Sequence, residues 1–249
     1  MGVLSLFATH NRAGEITYRH INGLTYEITV NIFSDPNSPA FQRQEIVLNY
    51  GDNTGLDSVR STNTSPPIAD NIQKRSWVIQ HTYPGPGTYT ISVTDPNRNG
   101  GVDNIQNSVG VPFYIRSLLR ISPSGNLRNN SPILLNDPID NACAGQLFVH
   151  NPGAVDPDGD SLAYEISPSF GTGGLEAPGF TYPPSSTPIF VDPITGDLTM
   201  DVPISIGLYN VGILIKEFRN GVLVGNVLRD LQIQVFQGCN SAAPEIQVN

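Results

Sequence analysis

Apolar side chains recur at every second position along most of this chain. Tyr26, Ile28, Val30 and Ile32 alternate with Thr25, Glu27, Thr29 and Asn31. Ile46, Leu48 and Tyr50 repeat the pattern, as do Trp77 and Ile79, then Tyr89, Ile91 and Val93. Further along come Leu162, Tyr164 and Ile166, then Tyr209, Val211, Ile213 and Ile215, then Leu231, Ile233 and Val235. Successive side chains of a strand point to opposite faces, so this spacing describes strands with one buried face. No stretch of about ten residues carries the 3.6-residue period of an amphipathic helix. The fold class expected is therefore all-β.

Composition agrees. The 249 residues include 24 Gly and 21 Pro, and only 14% are charged. Such a chain suits short strands joined by tight turns, and excludes coiled coils and helical bundles. A net charge of −9, with only 13 Lys and Arg, makes nucleic acid a poor partner. No apolar run is long enough to span a membrane as a helix. Two turns are sharply signalled, Asn22-Gly23 and Asn220-Gly221, each between alternating segments. Asn-Gly favours a type I′ hairpin, in which both central residues take positive φ.

Turn-rich sequence at 118–136, including Ser122-Pro123-Ser124-Gly125 and Asn129-Asn130-Ser131-Pro132, divides the chain into halves of sandwich size. The expected organisation is an N-terminal segment 1–14, a first sandwich 15–117, a linker 118–136, a second sandwich 137–240 and a linker 241–249. Val3 to Ala8 reads either as the remnant of an export signal or as a plain first strand. The tail from Asn240 reads as the approach to a further domain.

The first half carries Tyr50-Gly51-Asp52-Asn53 and then His81-Thr82-Tyr83-Pro84-Gly85-Pro86-Gly87-Thr88-Tyr89. It resembles a PKD domain, an immunoglobulin-like sandwich, with Asn53 standing where Gly is usual and Tyr50 where Phe is frequent. The resemblance implies a tyrosine corner at Tyr89, and His81 is expected to bond backbone in its turn. The second half carries Asp156-Pro157-Asp158-Gly159-Asp160-Ser161-Leu162-Ala163-Tyr164, then Asp192-Pro193-Ile194-Thr195-Gly196-Asp197. It resembles a cadherin-like, immunoglobulin-type module of bacterial surface proteins. Together with Thr9 to Ile16, the arrangement is similar to the gliding-motility-associated, type 9-secreted surface proteins of Bacteroidetes. This implies two tandem immunoglobulin-like β-sandwich domains at the cell surface or outside the cell.

Asp156, Asp158 and Asp160 are the strongest candidate metal ligands. Carboxylates spaced by two around Gly159 can converge on Ca²⁺, which takes six to eight oxygens in flexible geometry. The site is not an EF-hand, because the twelfth position of such a loop would be Ser167 rather than Glu. Further ligands would have to come from Asp137, Asp140 or Asp197. A solvated Asp-Pro-Asp-Gly turn is the competing explanation. The two cysteines, Cys143 and Cys239, bracket the second half. They form either one disulfide or two inert thiols, and the extracellular context implied by the resemblance favours the disulfide.

Catalytic motifs are missing. His10, His20, His81 and His150 are isolated, and neither HExxH nor GxSxG occurs. Gly171-Thr172-Gly173-Gly174 lacks the Lys-Ser/Thr of a phosphate loop. The expectation is a non-enzymatic structural or adhesive module of a cell-surface protein, stiffened by Ca²⁺ or assembled into filaments. Its partners would be neighbouring domains, other copies of itself, or surface glycans and proteins. The alternative is a carbohydrate-binding accessory module of an exported hydrolase. That alternative rests on Trp77, whose alternation with Ile79 otherwise marks it as core, and on the loop aromatics Phe180 and Tyr182.

Overall fold

The computed structural model describes residues 11–69, 71–96, 98–123 and 128–239. The segment Val3 to Ala8, expected as an export-signal remnant or a first strand, and the tail 241–249, expected as a linker, lie outside the described residues. The first half contains β1 (Asn11–Asn22), β2 (Thr25–Ser34), a single helical turn α1 (Pro39–Gln42), β3 (Glu45–Asn49), β4 (Leu56–Arg60), β5 (Asn63–Ala69), β6 (Ile72–Thr82), β7 (Gly87–Asp95) and β8 (Phe113–Ile121). The second contains β9 (Ile133–Leu134), β10 (Ile139–Cys143), β11 (Phe148–His150), β12 (Ala154–Val155), β13 (Ser161–Ser167), β14 (Phe190–Val191), β15 (Leu198–Met200), β16 (Gly207–Arg219) and β17 (Val222–Phe236). The described chain is all-β, with curled antiparallel sheets of sandwich type.

The alternating segments become strands whose apolar face is buried. Ile28, Val30, Ile91 and Leu119 are among the side chains of a first core, together with Tyr26, Tyr50, Trp77 and Tyr83. Tyr164, Leu198, Met200, Val211, Ile213, Ile215, Leu231 and Ile233 build a second. On the outward face of β3, Val47 is 46% exposed while Ile46 and Leu48 are buried.

One sheet takes strands from around both cores. One twelve-stranded sheet runs β4-β3-β7-β8-β17-β1-β2-β6-β5, with β16 on β17, β13 on β16 and β10 on β17. The long strand β17 joins the halves. One edge carries β16 from Val222 to Val235. The other edge takes β8 at Gly225–Val227, β1 at Asp230 and β10, in parallel, at Gln232–Phe236. Residues 118–121, expected in the linker, complete β8, and residues 11–14, expected in an N-terminal segment, open β1. Both stretches find ladder partners from distant sequence, which local turn composition does not report.

The turn chemistry holds at one hairpin and shifts at the other. Asn220 and Gly221 have φ of +52° and +76°, and Arg219 pairs with Val222, as a two-residue type I′ loop requires. At the first hairpin Asn22 instead pairs with Thr25, so Gly23 and Leu24 form the loop and only Gly23 takes positive φ. An irregularity between His20 and Asn22 moves that turn by one residue.

The junction is polar and buried. Arg98 is fully buried and donates to both Asp230 oxygens, at 2.8 and 3.0 Å, and to the Phe170 carbonyl. Arg229 donates to Glu15 at 2.7 Å, and Asn210 bridges Asp230 and the Arg12 carbonyl. The loop between β7 and β8 reaches across, with Asn104 bonding Asn210 and Thr181. Val102, Ile105 and Val111 pack on Ala177, Phe180 and Leu208 in a third apolar cluster. Cys143 and Cys239 form a disulfide with Cα atoms 5.8 Å apart. It clamps the end of β10 to the segment following β17.

Candidate metal centre

The Asp156 turn lies between β12 and β13. The Asp156 Oδ1 accepts the backbone N–H groups of Asp158 and Asp160, at 2.8 and 3.0 Å, which curls the chain into an Asx turn. Gly159 supplies the positive φ, +79°, that this curl needs. The turn brings Asp156 and Asp160 towards the end of β16, where Glu217 sits opposite Leu162 of β13 and Gly225 of β17.

Carboxylate oxygens of Asp156, Asp160 and Glu217 all lie within 4.8 Å of one another. Asp158 does not join them. Its Oδ2 accepts the Asn130 backbone N–H and Arg219, and its Oδ1 accepts the Asn130 amide. Two of the three candidate ligands read from the sequence thus converge, and the third ties the turn to Asn130 and Arg219. Glu217 was not visible in the sequence, because it occupies an ordinary alternating position in β16. The remaining acids are engaged elsewhere. Asp140 pairs with His150, Asp197 accepts from Asn151 and Thr195, and Asp137 lies 3.8 Å from Lys74.

The group is strongly acidic. Four carboxylates, those of Asp156, Asp158, Asp160 and Glu217, gather beside one guanidinium, that of Arg219, which of the four bonds only Asp158 and Asp160. Arg219 donates to both oxygens of Asp160, at 2.7 and 2.6 Å, and to Asp158 at 3.1 Å. Its bond to Asp160 holds it more firmly protonated than an ordinary arginine. Glu217 is fully buried. Burial first, with the neighbouring aspartates adding to it, pushes its carboxyl up to about 8 against a bond from Asn129 that favours the charged form. Burial also raises Asp156. Glu217 Oε2 accepts from Asn129 Nδ2 at 2.5 Å, and Asn129 also donates to the Tyr18 hydroxyl of the first core. Glu217 Oε1 and Asp156 Oδ2 are buried without a hydrogen-bond partner.

Gly225 is essential to this packing. A Cβ there would fall 2.2 Å from the Tyr18 hydroxyl oxygen and 2.8 Å from Glu217 Oε1. The register shift between Glu217 and Phe218 inserts an extra residue on β17 beside it, the local distortion that re-aims side chains near sites.

The other sequence candidates lie away from this group. Trp77 is buried, and its indole N–H donates to the Gln44 carbonyl at 2.9 Å, so it offers no exposed stacking face. His81 bonds a side chain rather than backbone: its Nε2 meets Asp52 Oδ2 at 2.6 Å, and its ring stacks on Tyr50 at 3.7 Å. Tyr89 forms the expected corner, donating to the Gly85 carbonyl at 2.7 Å. Tyr209 makes the equivalent bond to Ser205 in the second half. Phe180 packs edge-on against the partly exposed Tyr182. Among the described residues no helix is long and apolar enough to cross a membrane. Comparison with family models, curated proteins and solved structures finds no match to this chain.

Proposed function

We propose that the chain is a non-catalytic structural or adhesive module of an exported bacterial surface protein. Its task is to hold neighbouring domains or partner copies at a fixed distance and orientation. The observation that carries this reading is β17, a single strand hydrogen-bonded into both halves. A bend at the junction would have to break its pairings with β8 and β1. It would also separate the buried pairs Arg98–Asp230 and Arg229–Glu15.

Two supports come from chemistry. A disulfide fits an oxidising compartment, as expected of an exported chain. Each half also has a tyrosine whose hydroxyl bonds the carbonyl four residues upstream, Tyr89 to Gly85 and Tyr209 to Ser205. Tyrosine corners of this kind accompany immunoglobulin-like sandwiches. We read the halves as PKD-like and cadherin-like sandwiches merged along β17 rather than strung on a linker.

Protease shaving of intact source cells tests the reading. The chain is expected to be released from the cell surface with Cys143 and Cys239 oxidised. Recovery only from the cytosol after lysis, with two free thiols, overturns it. Calorimetry tests the rigid body: one cooperative transition is expected, and two separated transitions refute the merger.

A further inference from the structure

We propose that Asp156, Asp160 and Glu217 bind one hard divalent cation of the Ca²⁺ class, with Glu217 supplying the ligand that ties the Asp156 turn to β16. The inference does not depend on the module's proposed task. It begins from two buried carboxylate oxygens, Asp156 Oδ2 and Glu217 Oε1, that lack any hydrogen-bond partner. A buried carboxylate oxygen left unpaired is costly, and the cost is larger when other carboxylates stand beside it. Among the described residues, these three acids are the ones that bring oxygens to within 4.8 Å of one another.

Arg219 does not satisfy the group. Its guanidinium engages Asp160, Asp158, Asn129 and the Arg128 carbonyl, and reaches neither Asp156 nor Glu217. An ionised carboxylate offers about four lone pairs, so each Asp160 oxygen can accept Arg219 and still bind a cation. All donors are carboxylate oxygens, with no thiolate or imidazole among them. That favours hard cations over zinc or copper. The ligands come from a turn and a strand rather than a preformed octahedron, and flexible geometry of this kind suits Ca²⁺ better than Mg²⁺.

Glu217 also bonds Asn129, which bonds Tyr18 on β1. The cation would therefore brace the second half's turn against the first half's core.

Calorimetric titration of the whole chain with CaCl₂, after chelation and dialysis, tests the site. Binding at about 10⁻⁴–10⁻³ M is expected, the range of extracellular modules. Glu217→Gln keeps the side-chain volume and an acceptor for Asn129, and should weaken Ca²⁺ at least about tenfold while circular dichroism stays unchanged. Asp156→Asn should do the same, and decides the matter if the Glu217 variant fails to fold. Absence of heat and of any Tm shift at roughly ten times that concentration overturns the proposal. So does a folded Glu217→Gln or Asp156→Asn chain that binds Ca²⁺ like the wild type.

Discussion

Replacing Asp230 by Ala should destabilise the junction between the halves. Arg98 is fully buried and spends two of its nitrogens on the two Asp230 oxygens. Its guanidinium also lies 5.0 Å from the Phe113 ring centroid, in surroundings that water does not reach. Asp230→Ala leaves that cation with one carbonyl acceptor, Phe170, and removes an acceptor from Asn210. Stranding one member of a buried pair costs about 3–5 kcal/mol. For a chain of this length each kcal/mol moves Tm by about 2–4 °C, so Tm should fall by roughly 10 °C. Urea denaturation and calorimetry read both quantities. The double variant Arg98→Met with Asp230→Leu removes both charges and should recover most of the loss, because paired apolar groups of similar volume replace buried ions at little cost. A loss below about 1 kcal/mol for Asp230→Ala, the size of a solvent-exposed pair, would refute the argument. Such a result would mean that water reaches Arg98.

Three other perturbations follow from the same structure. Gly225→Ala drives a methyl group into the Tyr18 hydroxyl and Glu217; overpacking of this kind should cost about 1–3 kcal/mol, measured by urea denaturation. Reducing Cys143–Cys239, which closes a separation of 96 residues, should destabilise the chain by about 2–4 kcal/mol, seen as a lower urea midpoint in dithiothreitol. Burial raises the Asp52 carboxyl, but bonds from Thr54 and His81 outweigh it and hold the group below its ordinary value of 3.8. A depressed acid stabilises the fold above its unfolded pKa and loses that contribution as pH falls through the folded one. Asp52→Asn should therefore flatten the stability profile below about pH 4, read as Tm against pH.

Much of the local structure was legible from side-chain spacing. Alternation marked Tyr26 to Ile32, Tyr89 to Val93, Tyr209 to Ile215 and Leu231 to Val235, and these strands bury the expected faces. Asn220-Gly221 placed the hairpin that carries β16 and β17, because few residues other than Asn and Gly accept two successive positive φ values. Asp156 and Asp160 were legible as candidate ligands because their turn is local. The order of strands was not. A period of two tells which face of a strand is buried and says nothing about which strand lies beside it. Only the folded chain brings Glu15 to Arg229, 214 positions away, or Arg98 to Asp230, 132 away. In sequence these charges look like solvated positions, and in the fold they bind two cores into one sheet. Glu217 belongs with them. Its neighbours in β16 are unremarkable, and only the packing of β13, β16 and β17 brings its carboxylate to Asp156 and Asp160.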